Sequence, residues 1–333
     1  MIKCALDLAV DILIRVFPGG FIMAKVKGYG GAEHSLWKNI VRHRAHIVLA
    51  LPAFLIMFFI LYVPMVGLLV AFKNYTYSGG IFGSEWAGLD NFKFLLASKD
   101  TFVNMTLNTL FYYFVFTALG TFLNIVLAIA IDQCVFKRSA KTMQTIMIIP
   151  VFISYAAVTF IVDAFISTNT GILNKAFGAN TKFYSTKEYW PAILTIVKMW
   201  NSVGYGSVLY MSVLAGIDTG LYEAAQIDGA GKWKQIWHIT LPELFPMITV
   251  MLLLSVGGIM RSDTGLFYQV TRNTGILYSK TQVIDSYVLN SITKSSNFGY
   301  TAAATLFQSV VGLIMMLIAN GAVRKLAPEN ALF

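Results

Sequence analysis

The run Ile47-Val-Leu-Ala-Leu-Pro-Ala-Phe-Leu-Ile-Met-Phe-Phe-Ile-Leu-Tyr-Val-Pro-Met-Val-Gly-Leu-Leu-Val-Ala-Phe72 decides the fold class: 26 consecutive residues without Asp, Glu, Lys or Arg. A hydrocarbon core about 30 Å thick is crossed by roughly 20 apolar residues rising about 1.5 Å each in an α-helix, so the run is long enough to span a bilayer. Working outward, residues 106–131, 145–162, 244–260 and 301–323 are equally free of those four types, and 191–217 is interrupted only by Lys198. The whole chain of 333 residues agrees, being 57% hydrophobic and 12% charged with a mean hydropathy of +0.67. Too little charge remains to coat a soluble globule of this size. The expectation is an all-α integral membrane protein with six spans over 47–323, an N-terminal tail over 1–46 and a short tail over 324–333.

Pro52, Pro64 and Gly67 inside the opening run point to a packed bundle, because neighbouring helices must satisfy the backbone groups that such residues free. Basic residues orient the bundle, since translocation disfavours Lys and Arg. With the N-terminus inside, fourteen fall on inner segments and ten on outer loops, and the first span is preceded by Lys38, Arg42 and Arg44. Both termini are therefore expected on the cytoplasmic side. That distribution also accounts for the net charge of +9: no basic and aromatic stripe on a soluble domain suggests nucleic acid.

The first 22 residues carry Asp7, Asp11 and Arg15 at spacing four, on one helical face. Two readings stand: an interfacial amphipathic helix, or a translation start at Met23. Cys4 and Cys134 both fall on the expected cytoplasmic side, where thiols stay reduced. His34, His43, His46 and His238 have no ligand spacing, and no metal is expected. The loops over 73–105 and 261–300 are long for a bundle and are read as an external docking surface.

The segment between the fourth and fifth spans is more ordered chemically than a connector requires. It reads Tyr222-Glu-Ala-Ala-Gln-Ile-Asp-Gly-Ala-Gly-Lys-Trp-Lys-Gln-Ile-Trp-His-Ile-Thr-Leu-Pro-Glu-Leu-Phe-Pro246. The pattern predicts a short helix, a reversal at Gly229 and Gly231, and a second short helix, with Pro242 opening the fifth span where a missing N–H costs nothing. Trp233, Ile236 and Trp237, at i, i+3 and i+4, form an apolar ridge. A ridge of this kind on a polar loop suits the groove of a partner protein.

These residues closely resemble the EAA loop of ABC importer permeases: Glu223, Ala224, Ala225, then Gly229, then Ile239, Leu241 and Pro242. The fuller form with Asp228, Gly229 and Ala230 resembles the sugar-importing branch. Arg261 to Val270, Asn273 to Tyr278 and Val283 to Val288 look like permeases for large oligosaccharides from plant or algal polysaccharides. The resemblance covers the chain from about residue 35 onward. It implies a type I, six-helix permease of the bacterial inner membrane, pairing with a second homologous permease subunit. It further implies two ATP-binding subunits that hold ATP and Mg, and an extracytoplasmic sugar-binding protein. Coupling to the ATPase falls by resemblance to Glu223, Ala224, Ala225, Asp228, Gly229, Gly231, Trp233, Ile236, Trp237, Leu241 and Pro242. The chain itself is expected to hold no cofactor and to catalyse nothing; it has no Gly-x-x-x-x-Gly-Lys-Ser/Thr phosphate loop.

A charge at a helix centre costs about 2.5–3.5 kcal/mol on insertion scales, so Lys198 is a functional candidate. With Asn201 and Tyr205 it forms an i, i+3, i+7 row suited to line a sugar path, Lys198 meeting an acidic sugar. The alternative is that Lys198 snorkels or pairs with an acid such as Asp163. Thr117, Thr121 and Asn124 make a similar row that helix packing explains, with Asn124 kept as a candidate lining residue. A secondary transporter would show repeated broken helices with midplane carboxylates, and a membrane enzyme a clustered catalytic set. Neither pattern is present.

Overall fold

A computed structural model describes residues 44–326 apart from 98, 135, 179 and 296. The readings on Asp7, Asp11, Arg15, Met23, Cys4, His34 and His43, and the tail beyond 326, lie outside the described residues.

Helix α1 (Arg44–Met57) continues through a π-helical turn (Phe58–Tyr62) and a 3-10 stretch (Val63–Phe72). A two-strand hairpin, β1 (Lys73–Asn74) with β2 (Glu85–Trp86), follows in antiparallel register. Next come α2 (Asp90–Ala97) and α3 (Lys99–Asp132). Then α4 (Lys137–Ile148) runs on as 3-10 helix to Phe152, and α5 (Tyr155–Ile166) follows. The chain proceeds through α6 (Trp190–Leu214), α7 (Thr219–Ile227), α8 (Lys232–Gln235), α9 (Leu241–Val256), α10 (Ile284–Asn290) and α11 (Phe298–Leu326).

Among the described residues, four continuous helices are long and apolar enough to cross a membrane: Val48–Phe72, Asp100–Asp132, Lys232–Val256 and Phe298–Lys325. Helix α6, 25 residues long, contains the Lys198 interruption. The third charge-free run departs from a straight span: Arg138–Phe152 and Tyr155–Ile166 meet at 102°. Pro150 sits in the 3-10 end of the first piece, Ile153 and Ser154 are extended, and the Ser154 hydroxyl caps the second by accepting from Ala157 N at 3.4 Å. Hydropathy averages over such a break, because the charge-free run from Thr145 continues through it.

Two of the π turns among the described residues, Phe58–Tyr62 and Ile236–Thr240, have a common cause. A proline ring crowds the carbonyl four residues earlier. For Pro64 and Pro242 that carbonyl belongs to Ile60 and His238, and each lies inside a π turn, Phe58–Tyr62 and Ile236–Thr240. The helix relieves the clash by widening one turn and then continues.

Helix α6 packs along α3 and against the α4 end, and α11 packs against the 3-10 part of α1. Close approach is achieved with glycine. A Cβ at Gly204 would lie 1.7 Å from the Met147 carbonyl oxygen, one at Gly312 2.6 Å from Gly257 O, and one at Gly206 2.5 Å from the Asn124 amide. At the hairpin end, Asn91 donates to Ala71 O (3.0 Å) and Lys73 O (2.9 Å) and so fixes the exit of α1.

The 261–300 connection, read as a long outer loop, is not peripheral to the bundle. Leu266, Phe267, Val270, Leu277 and Val283 are buried with Tyr112 of α3, Val158 and Val162 of α5, and Trp190 and Leu194 of α6. The segment folds as a π turn (Gly265–Val270), a 3-10 turn (Gly275–Leu277) and α10, and it forms part of the largest apolar cluster. The opening span is the opposite case: only 6% of its window is buried, so its cover must come from lipid or from another chain.

Candidate coupling loop and membrane cavity

The helix-turn-helix between α6 and α9 is held by its own hydrogen bonds. Asp218 caps α7, accepting from Gly220 N at 2.9 Å. At the other end Ala230 N donates to Ala225 O (2.8 Å) and Gly229 N to Gln226 O (3.0 Å). That pair of bonds is a Schellman cap, and it demands a left-handed residue at 229, where Gly229 has φ +75°. Gly231 departs from the expected reversal: its φ is −68°, and a Cβ there would meet nothing within 4 Å. One glycine, not two, makes the turn.

Gln235, buried, donates from Nε2 to Ala230 O at 2.9 Å, and the Tyr222 hydroxyl shares a hydrogen bond with Thr240 Oγ1 at 3.0 Å. The two helices are thereby braced as one unit. The second is not a separate short helix, because α8 passes through the π turn into α9 as one continuous helix, Lys232–Val256. Any displacement of α8 is transmitted directly into a membrane span.

On the outer face, Trp233 is 77% and Trp237 64% exposed, with Ile227 at 88%. Ile236 and Leu241 are half-buried beneath them, and Ala225 packs inward from α7. Glu223, Ala224, Asp228 and Pro242 are exposed. Of the expected ridge, Trp233 and Trp237 are exposed and Ile236 is half-buried, and Ile227 at the end of α7 is a further exposed apolar side chain.

The polar row on α6 separates into different roles. Lys198 lines a cavity of about 230 Å³ and pairs with Asp263 at 3.0 Å. Asp163, the acid suggested by sequence, instead pairs with Arg272 at 2.9 Å. Asn201 is buried and donates to Pro150 O at 2.8 Å, bracing the broken helix rather than facing a solute. Tyr205 is 59% exposed and does not line the cavity. Asn124 lies against Gly206 at the α3–α6 contact. Of the four expected path residues, only Lys198 reaches the cavity.

Arg261, Asp263, Tyr112, Tyr113, Thr109 and Thr117 complete its polar wall. Several are already engaged: Tyr112 OH donates to Lys280 O (2.7 Å), Tyr113 OH meets Ser255 Oγ (3.0 Å) and Thr109 Oγ1 accepts from Ile284 N (3.2 Å). The Arg261 side chain is exposed. Asp285 holds the turn beside it, accepting from Ser262 N (2.6 Å), Ser262 Oγ (2.8 Å) and Gln308 Nε2 (3.2 Å). The cavity wall thus holds two basic side chains, Lys198 and Arg261, and one acidic one, Asp263, with the Asp285 carboxylate behind Ser262. Asp263 and Arg261 were missed because they stand in a segment read as external loop; its buried Leu266, Phe267 and Val270 were the available signal. Arg272 is held between Asp163 and the Tyr184 ring, 4.8 Å from its centroid. Burial raises the Tyr184 hydroxyl pKa, with Arg272 pulling it down and Asp163 pushing it up.

Lys198→Met should cost about 1–3 kcal/mol, less than a fully buried pair because both side chains keep some solvent contact, by stranding Asp263. The Lys198→Met/Asp263→Asn double variant should recover most of that loss, as read from melting temperatures in detergent. Equal losses in the single and double variants would show that the two side chains are not energetically coupled.

Comparison with known proteins agrees with this geometry. Residues 137–328 match the family described as binding-protein-dependent transport system inner membrane component. The chain is 29% identical over 296 residues to the polygalacturonan/rhamnogalacturonan transport system permease protein YteP of Bacillus subtilis, covering 88% of this chain and 91% of that one. It is 31% identical over 290 residues to protein LplB of the same organism, covering 85% and 89%. A chain in the crystal structure of a bacterial ABC transporter importing the acidic polysaccharide alginate superposes with TM-score 0.79 at 30% identity, covering 88% of this chain and 99% of that chain. The loop geometry, the multi-pass bundle and the match over residues 137–328 agree: the chain belongs to the binding-protein-dependent transport system inner membrane component family.

Proposed function

We propose that this permease forms half of the translocation path for an oligosaccharide, one that carries carboxylates, and that a separate ATPase drives it through residues 218–243. The observation that carries the coupling role is the exposed ridge of Ile227, Trp233 and Trp237 on a braced unit continuous with α9. A partner that binds the ridge more tightly in one state shifts the bundle toward that state. Glu223, Ala224, Ala225, Asp228, Gly229, Gly231, Ile236, Leu241 and Pro242 shape or frame this surface. Both termini and the loop then face the cytoplasm, where the ATPase subunits hold ATP and Mg.

The cargo reading rests on the cavity and the relatives. Lys198 and Arg261 outnumber Asp263 in the cavity wall, and polygalacturonan and alginate are named for the related transporters. A sugar-binding protein outside and a second permease alongside complete the assembly; the similar alginate transporter was crystallised with a periplasmic protein carrying an alginate pentasaccharide.

The test is ATP hydrolysis by the reconstituted importer, with neutral or carboxylated oligosaccharides supplied through its binding protein. Carboxylated sugars should stimulate hydrolysis, and Glu223→Ala and Gly229→Pro should each abolish at least nine-tenths of the stimulation. Full stimulation in both variants would remove the coupling role. Stimulation by neutral sugars alone would remove the acidic cargo.

A further inference from the structure

A groove of about 480 Å³ runs along the membrane face between α3, α4 and α6, with Val126, Ala130, Ile146, Met147, Trp200 and Gly204 among its walls. Its lining side chains are apolar throughout. The groove is too small for a packed helix: with side chains about 10–12 Å across, a helix would fill that volume in about one turn. Its α3 wall, from Leu123 to Ala130, extends about 10 Å along the helix axis, enough to seat part of an extended hydrocarbon chain.

None of the groove's walls is charged, but α4, which supplies Ile146 and Met147, is basic toward its N-terminal end. Helix α4 carries Lys137, Arg138 and Lys141 and no acid anywhere in its twelve residues. Arg138 and Lys141 are exposed, and neither has an ion-pair partner among the described residues. They precede Ile146 by eight and five residues, so they lie about 12 and 7.5 Å from it along the axis. This is the end at which α3 closes and the expected cytoplasmic loop 132–144 begins. Unpaired cations just beyond an apolar slot match the inner leaflet, whose anionic lipids attract basic segments at the membrane edge.

We propose that this groove is a binding site for one anionic phospholipid, an acyl chain lying against Trp200, Ile146 and Ala130 and the phosphate held by Arg138 and Lys141. The lipid fills the slot beside the first piece of the broken third span, against the α4–α6 contact that Asn201 braces through Pro150 O. The site is separate from the polar cavity and from the loop 218–243.

The test uses the full-length protein in nanodiscs containing equal phosphatidylglycerol and phosphatidylcholine, extracted into detergent, washed, and assayed for retained lipid by mass spectrometry. Wild type should retain phosphatidylglycerol at least fivefold over phosphatidylcholine. Arg138→Gln/Lys141→Gln should erase that preference, and Ala130→Trp should displace both lipids. The Lys175→Gln/Lys182→Gln control should behave as wild type. An unchanged preference in Arg138→Gln/Lys141→Gln overturns the headgroup assignment. Unchanged retention in Ala130→Trp, together with weakened association with a second permease on size exclusion, overturns the lipid and makes the groove a protein contact.

Discussion

Replacing Gly204 with leucine should unfold this protein or leave it aggregated, with a loss of about 3 kcal/mol or more, at the upper end of overpacking effects. Even the Cβ of alanine would stand 1.7 Å from the carbonyl oxygen and 2.3 Å from the carbonyl carbon of Met147. Those are backbone atoms, so no rotamer change relieves the contact. Helix α6 would have to move away from α4, and in moving it would break the Asn201 bond to Pro150 O, one turn away on the same helix face. Pro150 O would keep its bond from Ile153 N (3.1 Å) but lose the buried amide donor, a further cost of about 0.5–1.5 kcal/mol. The check is the melting temperature and size-exclusion profile in detergent of Gly204→Ala and Gly204→Leu. A leucine variant as stable as wild type would mean that α4 does not rest on α6.

Removing the ridge should do the reverse. Trp233→Ala/Trp237→Ala should change folding stability by less than about 0.5 kcal/mol, because both rings project from the surface, at 77% and 64% exposure. Its effect should appear only against a partner. A central tryptophan in a protein interface is often worth about 2 kcal/mol or more, and 1.4 kcal/mol is tenfold in affinity. The double variant should therefore bind the ATPase at least tenfold to a hundredfold more weakly, and substrate-stimulated hydrolysis should fall with it at fixed ATPase concentration. Excess ATPase should restore part of the rate, a rescue not expected for Gly229→Pro, whose ring cannot adopt the φ of +75° that the turn requires. Undiminished binding in the double tryptophan variant would place the docking surface elsewhere on the chain.

The contrast between these two sites follows how each was readable. The loop could be found because its geometry is local. Asp218, Gly229 and the apolar spacing of Trp233, Ile236 and Trp237 lie within twenty residues, and the caps and turn they specify need no distant contact. Gly231 was misread for the same reason that Gly229 was read correctly: two glycines in one turn look alike, and only the Schellman bonds from Ala230 to Ala225 and from Gly229 to Gln226 show which one carries the left-handed residue. The continuity of α8 with α9 was hidden by Pro242, which ordinarily ends a helical pattern, until the π turn at Ile236–Thr240 accommodated it.

The polar side chains of the membrane region were legible as types and not as roles. Spacing placed Lys198, Asn201 and Tyr205 on one face, but a helix inside a bundle has neighbours on more than one side. Asn201 turns to Pro150 O in the 3-10 stretch that follows α4, Lys198 to Asp263, and Tyr205 remains exposed. Asp163 was the acid suggested for Lys198 from the sequence, and the fold assigns it to Arg272 and gives Lys198 Asp263 instead.

What the sequence determined by itself is what depends on short range and on the solvent: long uncharged runs must be membrane helices, because a bilayer offers backbone groups no other partner, and the loop 222–246 carries its own turn and ridge. What only the tertiary structure decided is which segments approach one another. The 102° break in the third span, the burial of 261–283 against α3, α5 and α6, and the pairing of Lys198 with Asp263 join residues up to 174 positions apart, as Asn108 and Gln282 do. Such contacts depend on where a missing Cβ lets two helices touch, and a one-dimensional pattern holds no record of that.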